Sequence, residues 1–257
     1  MSVPLFDAHC DTISRCARLT SAHFSGTGGQ WDLDRMGECS PAAQFFAIFW
    51  DSARHPGESA QLFQDQYQVF RRELEQYGAD VRFLKGGDEV CGHAMIQVDS
   101  RGQNCILIFH GSNYNIDEAY VDSVLDQFES GDMVVLQNEI NTTHYIIEEA
   151  YKRGMKIALN PSPYDETIHR MPLEKLSWLV LNEVEVKDLS GQDTEEAYVR
   201  WFRERFPDLR VVVTLGRRGA MYIDRDQVIR HPAYNTTIVD TTTLLVYFNI
   251  ARILLKI

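Results

Sequence analysis

Apolar positions along this chain repeat in two rhythms. Phe63, Tyr67, Phe70, Leu74 and Tyr77 recur at spacings of three and four, which predicts an amphipathic helix over 58–77, with Gly78 as its C-cap. Tyr120, Val121, Val124, Leu125 and Phe128 predict a second helix. A third starts at an Asn141 N-cap and ends at Gly154, and a fourth spans 194–206. Between them lie short apolar runs: Met133–Leu136, Lys156–Leu159, Trp178–Leu181 and Arg210–Leu215. Runs of four to six apolar residues between helices read as buried parallel strands, so the expected fold is α/β with a sheet covered on both faces. Ala94–Val98 and Cys105–Phe109, joined by a turn at 99–102, predict an antiparallel pair. Met221–Ile223 and Gln227–Arg230 predict a closing hairpin. Leu5–Phe6 and Ala42–Trp50 read as strands, and 26–29 as a loop.

Composition narrows the partners. The 257 residues are 44% hydrophobic, enough for a real core, and carry a formal net charge of −12. That charge argues against non-specific binding to nucleic acid or an anionic membrane. It leaves nucleotides open, because a phosphate site needs only local donors. Five cysteines without a C-x-x-C pair fit a reducing, cytoplasmic compartment, and the N-terminus shows no signal-peptide pattern. The apolar stretch 244–257, interrupted by Asn249 and Arg252, is too short to span a bilayer and reads as a buried helix.

The chemistry-bearing residues sit where the strands end, which is where ligands bind in open α/β sheets. Glu139 follows the Met133 run and offers an acceptor to a polyol. Asn182 and Glu185 offer oxygens suited to Mg²⁺, although Asn-x-x-Glu is also a helix-start pattern. Gly216 and Gly219, after Thr214, let backbone N–H groups approach a phosphate. Arg217 and Arg218 read as solvated turn residues that could meet that phosphate.

Five ordered motifs carry a resemblance over about 88–250: Gly92 through Asn104, Leu136-Gln-Asn-Glu139, Leu159-Asn-Pro-Ser-Pro163, Asn182-Glu-Val-Glu185 and Thr214-Leu-Gly-Arg-Arg-Gly219. Together they resemble the ribokinase-like (PfkB) family of sugar kinases. The resemblance implies a three-layer sandwich with a mostly parallel sheet and ATP-dependent phosphoryl transfer to a sugar or nucleoside hydroxyl. It implies sugar binding at Glu139, nucleotide binding at Asn182, Thr214, Gly216 and Gly219, and Mg²⁺ at Glu185. A monovalent cation such as K⁺ would lie at Asp240 and Thr241. Two parts of the family pattern are missing. Its N-terminal third has no counterpart, and the glycine-rich turn ending in a catalytic aspartate is replaced by Thr243-Leu-Leu-Val246. No base or glycine stands there, so impaired turnover is expected.

Residues 1–84 carry a different resemblance. Phe6-Asp-Ala-His-Cys-Asp-Thr12, Trp31 through Glu38 and Ala43 through Asp51 resemble the opening of the membrane (renal) dipeptidase family, a (β/α)₈ barrel. That implies Zn²⁺ at His9 and Asp11, an incomplete site of two ligands where catalytic zinc normally has three. The expected organisation is therefore a dipeptidase-like fragment over 1–84 and an incomplete kinase domain over 85–257. Zinc-dependent dipeptidase activity and a non-catalytic assembly module, self-associating through unpaired sheet edges, stand as alternatives.

Overall fold

The computed structural model describes residues 3–10, 13, 16–17, 23–25, 33–36, 39–46, 48, 57–77, 83, 89–90, 92–98 and 104–233. They fall into two compact units, one within Met1–Lys85 and one within Gly86–Phe248.

In the first unit, β1 (Val3–Cys10) pairs in parallel with β2 (Cys39–Phe46), next to the short α1 (Leu33–Met36); the unit also holds the long α2 (Ser59–Gln76). No closed barrel is present among the described residues. The helix forms as its periodicity predicts, but the predicted apolar face is only half-buried, with Tyr77 38% exposed. The inaccessible positions are Gln66 and Glu73, seven residues apart on one stripe. Glu73 is tolerated there because its carboxylate is satisfied: it accepts from the Phe24 N–H at 2.9 Å and from Arg72 at 2.7 Å, and lies 3.0 Å from His23 Nδ1. Burial pushes its pKa up, but these partners together prevail and hold it below the usual carboxylate range.

In the second unit, six strands line up in chain order, with neighbours in space also neighbours in sequence. They are β5 (Met133–Gln137), β6 (Lys156–Asn160), β7 (Trp178–Asn182), β8 (Arg210–Thr214), β9 (Ala220–Ile223) and β10 (Val228–His231). The first four are parallel; β9 and β10 close the edge as the predicted antiparallel hairpin. β3 (His93–Val98) and β4 (Asn104–Phe109) form a separate antiparallel ribbon. The α-helices described in this unit are α3 (Glu118–Leu125), α4 (Thr143–Lys152), α5 (Glu183–Ser190) and α6 (Glu195–Arg205).

The helices share one core with one face of the sheet. Ile147, Val186 and Phe202 pack with Leu136, Leu159, Leu181 and Val213. Both faces were expected to carry helices, but the described helices contribute to this core alone. The strand order explains why: right-handed crossovers that always step in the same direction place every connecting helix on the same side. The opposite face carries Val135, Ala158 and Val180, half-buried, with Val212 and Tyr222 inaccessible.

Local signals set the helix ends. Asp117 caps α3, accepting from the Tyr120 N–H at 2.7 Å. Helix α4 ends in a left-handed Gly154 (φ 72°), with Gly154 N–H bonded to Tyr151 O and Met155 N–H to Ala150 O. Its start departs from expectation. Thr142, not Asn141, occupies the N-cap, and the Asn141 side chain instead donates to Ile116 O at 2.9 Å, tying the preceding turn to the start of α3. No helix among the described residues is long and apolar enough to cross a membrane. The predicted helix over 244–257 lies outside the described residues.

Candidate active site at the strand ends

Each of β5, β6 and β7 runs one polar residue further than its apolar run predicts, to Gln137, Asn160 and Asn182. Pairing sets Gln137 beside Asn160 and Asn182 beside Thr214, so polar side chains end all four parallel strands, in two pairs offset by two positions along the β6–β7 register. Hydrogen bonds stitch the row together. Asn138 N–H donates to Ser162 O at 3.1 Å, and its side chain donates to Pro163 O at 2.9 Å and Asp165 at 3.3 Å. The Ser162 N–H donates to Asn160 Oδ1 at 3.2 Å, and the Ser162 hydroxyl donates to Glu185.

Asn182 and Glu185 form a capping box. The Glu185 N–H donates to Asn182 Oδ1 at 2.9 Å, and the Asn182 N–H donates to Glu185 Oε2 at 2.8 Å. Glu185 is 6% exposed, with each carboxylate oxygen taken by a protein donor. This donor set does not fit direct coordination of Mg²⁺, which wants solvent-facing oxygens and keeps several waters. The exposed carboxylate of this helix start is Glu183, which the sequence motif spans but does not single out.

Glu139 lies in the turn after β5 with its surface open to solvent, yet the protein around it raises its carboxyl pKa. His110 opposes that shift. The His110 ring stacks on Tyr114 with centroids 3.9 Å apart, and its Nδ1 is buried without a hydrogen-bond partner among the described residues. His110 belongs to none of the five sequence motifs, yet the fold brings it electrostatically close to Glu139 and Asp165.

The two glycines of the turn after β8 do different work. Gly216 (φ 54°) has no atom within 4 Å of where a Cβ would stand, so this side of the turn is open. Gly219 (φ 97°) packs against its own chain, where a Cβ would lie 1.9 Å from His231 O. Leu215 N–H to Gly219 O (2.8 Å), Arg218 N–H to Leu215 O and Gly219 N–H to Gly216 O (both 3.0 Å) hold the turn and leave the Gly216 and Arg217 N–H groups outside these bonds. Arg218 is exposed, as read from the sequence, and is also held by carboxylates: it pairs with Glu195 at 2.6 Å and with Glu183. Arg230 reaches the other oxygen of Glu195 at 2.9 Å.

A cavity of about 510 Å³ lies elsewhere, along α6 and β10, sharing only Glu195 and Arg230 with these groups. His9 sits near the end of β1, while Asp11, Asp240 and Thr241 lie outside the described residues. Among the described residues, no three His, Cys, Asp or Glu side chains converge as a metal site.

A strand-end polar row beside a glycine turn, on a mostly parallel sheet, marks the edge of an open α/β fold where ligands bind in such proteins. Residues 63–243 match the pfkB family of carbohydrate kinases, and the chain belongs to that family. The match begins inside α2, earlier than the motifs indicate, within the stretch that reads as dipeptidase-like. The deoxyribokinase of Salmonella typhi is 30% identical over 179 residues, 66% of this chain and 58% of that protein's length. The structure of a ribokinase from Cryptococcus neoformans var. grubii in complex with ADP is similar with a TM-score of 0.54 at 26% identity, covering 69% of this chain and 62% of that one. A fructokinase from Vibrio cholerae, bound to fructose, ADP and calcium, shares the fold with a TM-score of 0.55 over 93% of this chain and 79% of that one, at 14% identity. The chain thus spans less than two thirds of the deoxyribokinase and of the ribokinase it resembles.

Proposed function

We propose that this protein binds a purine nucleotide and a sugar or nucleoside at its strand ends and transfers phosphate poorly. The observation that carries the nucleotide reading is the open Gly216 face of the turn after β8, beside the Asn182 helix start, in a chain of this family. Backbone N–H groups at such a turn meet phosphate without side-chain obstruction. Glu139 takes the sugar hydroxyls, at the end of β5. The protein around it raises its carboxyl pKa, a direction often met at functional sites.

The poor transfer follows from Thr243-Leu-Leu-Val246, which supplies neither a base nor a glycine amide where the family places both. Losing a base alone costs about 10²–10⁴ in rate. Magnesium, if it enters, comes with the nucleotide and is held through water, since Glu185 is fully engaged by protein donors.

Thermal unfolding with and without Mg²⁺-ATP tests the reading. Saturating nucleotide at a hundredfold excess over Kd should add about 2.7 kcal/mol of stability. No shift at millimolar nucleotide would discard nucleotide binding. Rapid ATP-dependent phosphorylation of ribose or deoxyribose would discard the impairment.

A further inference from the structure

One guanidinium joins two adjacent strand ends. Arg218 belongs to the turn after β8, and Glu183 is the first residue of α5, directly after β7. Their ion pair spans the gap between the open glycine turn and the capped helix start. The other side of the same guanidinium rests on Glu195, 2.6 Å away, at the start of α6.

The two partners are not equivalent. The Glu195 side chain is 24% exposed and is shared with Arg230, a fixed double pair. The Glu183 and Arg218 side chains are 47% and 58% exposed, so water and salt compete with their contact, and exchanging it for another anion costs little. A further group is unsatisfied at this spot. Tyr198, one helical turn beyond Glu195, is 7% exposed with no hydrogen-bond partner for its hydroxyl among the described residues. Buried polar groups normally have a partner, and the charges that act on this one are Glu195, Glu183, Arg218 and Arg230.

We propose that Arg218 is a gated phosphate-binding arm, pivoting on Glu195: Glu183 holds it across the mouth of the glycine turn, and the phosphates of a nucleotide displace Glu183. Glu183 is then a competitor for the arm as well as a negative charge facing the phosphates. The proposal rests on the nucleotide reading above. It makes the two ends of one ion pair act with opposite sign, which a purely structural staple would not do.

The test is calorimetric titration of ADP in EDTA, at low and high salt. The wild type is compared with Glu183→Gln, Arg218→Gln and Arg218→Lys, with melting temperatures confirming that each is folded. Glu183→Gln should tighten ADP several-fold at low salt, with the gain fading at high salt. Arg218→Gln should weaken it about tenfold, the scale of one charge-assisted hydrogen bond, and Arg218→Lys should recover part of that loss. If Arg218→Gln does not fold, the glutamine variant of Glu183 and the lysine variant decide. Weaker ADP binding by Glu183→Gln, or unchanged binding by either arginine variant, overturns the gate and leaves the nucleotide site standing. No ADP binding by the wild type overturns both.

Discussion

At the scale of single residues, Gly216 and Gly219 look interchangeable in sequence and are not. Adding a methyl at Gly219 drives it into His231 O at a backbone angle that side chains avoid, and Gly219→Ala should cost about 2–4 kcal/mol, read as a lower melting temperature. Gly216→Ala meets nothing and should cost only about 1 kcal/mol, while its methyl blocks the open face and abolishes the nucleotide-induced shift. Equal destabilisation of the two variants would show that the turn is packed differently. Glu139 offers a second test. Its pKa is raised in the folded protein, so its contribution to stability is fully present below the unfolded value and is lost as pH rises through the folded one. Glu139→Gln should therefore be more stable than wild type at neutral pH, and lose that advantage in acid. Glu195 behaves oppositely: Arg230 and Arg218 lower its pKa, so its contribution holds at neutral pH and is lost as pH falls through the carboxylate range.

At the scale of elements, the capping box decides how α5 begins. Asn182→Ala removes the side chain that accepts the Glu185 N–H and should cost about 1 kcal/mol, measurable in urea as a lower midpoint with an unchanged slope. The sequence motif was legible here, but its meaning was double. The pattern that suggests a magnesium site also starts a helix, and only the Ser162 and Asn182 contacts reveal that Glu185 is already satisfied. Helices and parallel strands were legible because apolar periodicity reports burial directly. The misplaced cap at Asn141 and the buried Glu73 were not. Each depends on a partner 25 to 50 residues away that no local pattern announces. The extra polar residue on three of the strands escaped for the same reason, since pairing, not hydrophobicity, carries the strand onward.

At the scale of the whole molecule, the core under the site is a single apolar layer. Leu181 is 1% exposed and lies one residue before Asn182, so Leu181→Ala should cost about 2–5 kcal/mol and carry the site down with the fold. A melting temperature within a few degrees of wild type would mean that this part of the core can collapse around the loss. Family membership was legible from motifs in order, but the extent of the kinase match was not. Its first matched residues lie in α2, where no catalytic residue type marks them. The sheet order has one more consequence, for how the chain is made. Each strand from β6 to β10 finds a partner in the strand synthesised just before it. Loops to be closed are short, and no strand must wait for a distant one. During translation the sheet can therefore grow from β5 outward as residues leave the ribosome, with the glycine turn and its arginine assembled only after β7 has already docked.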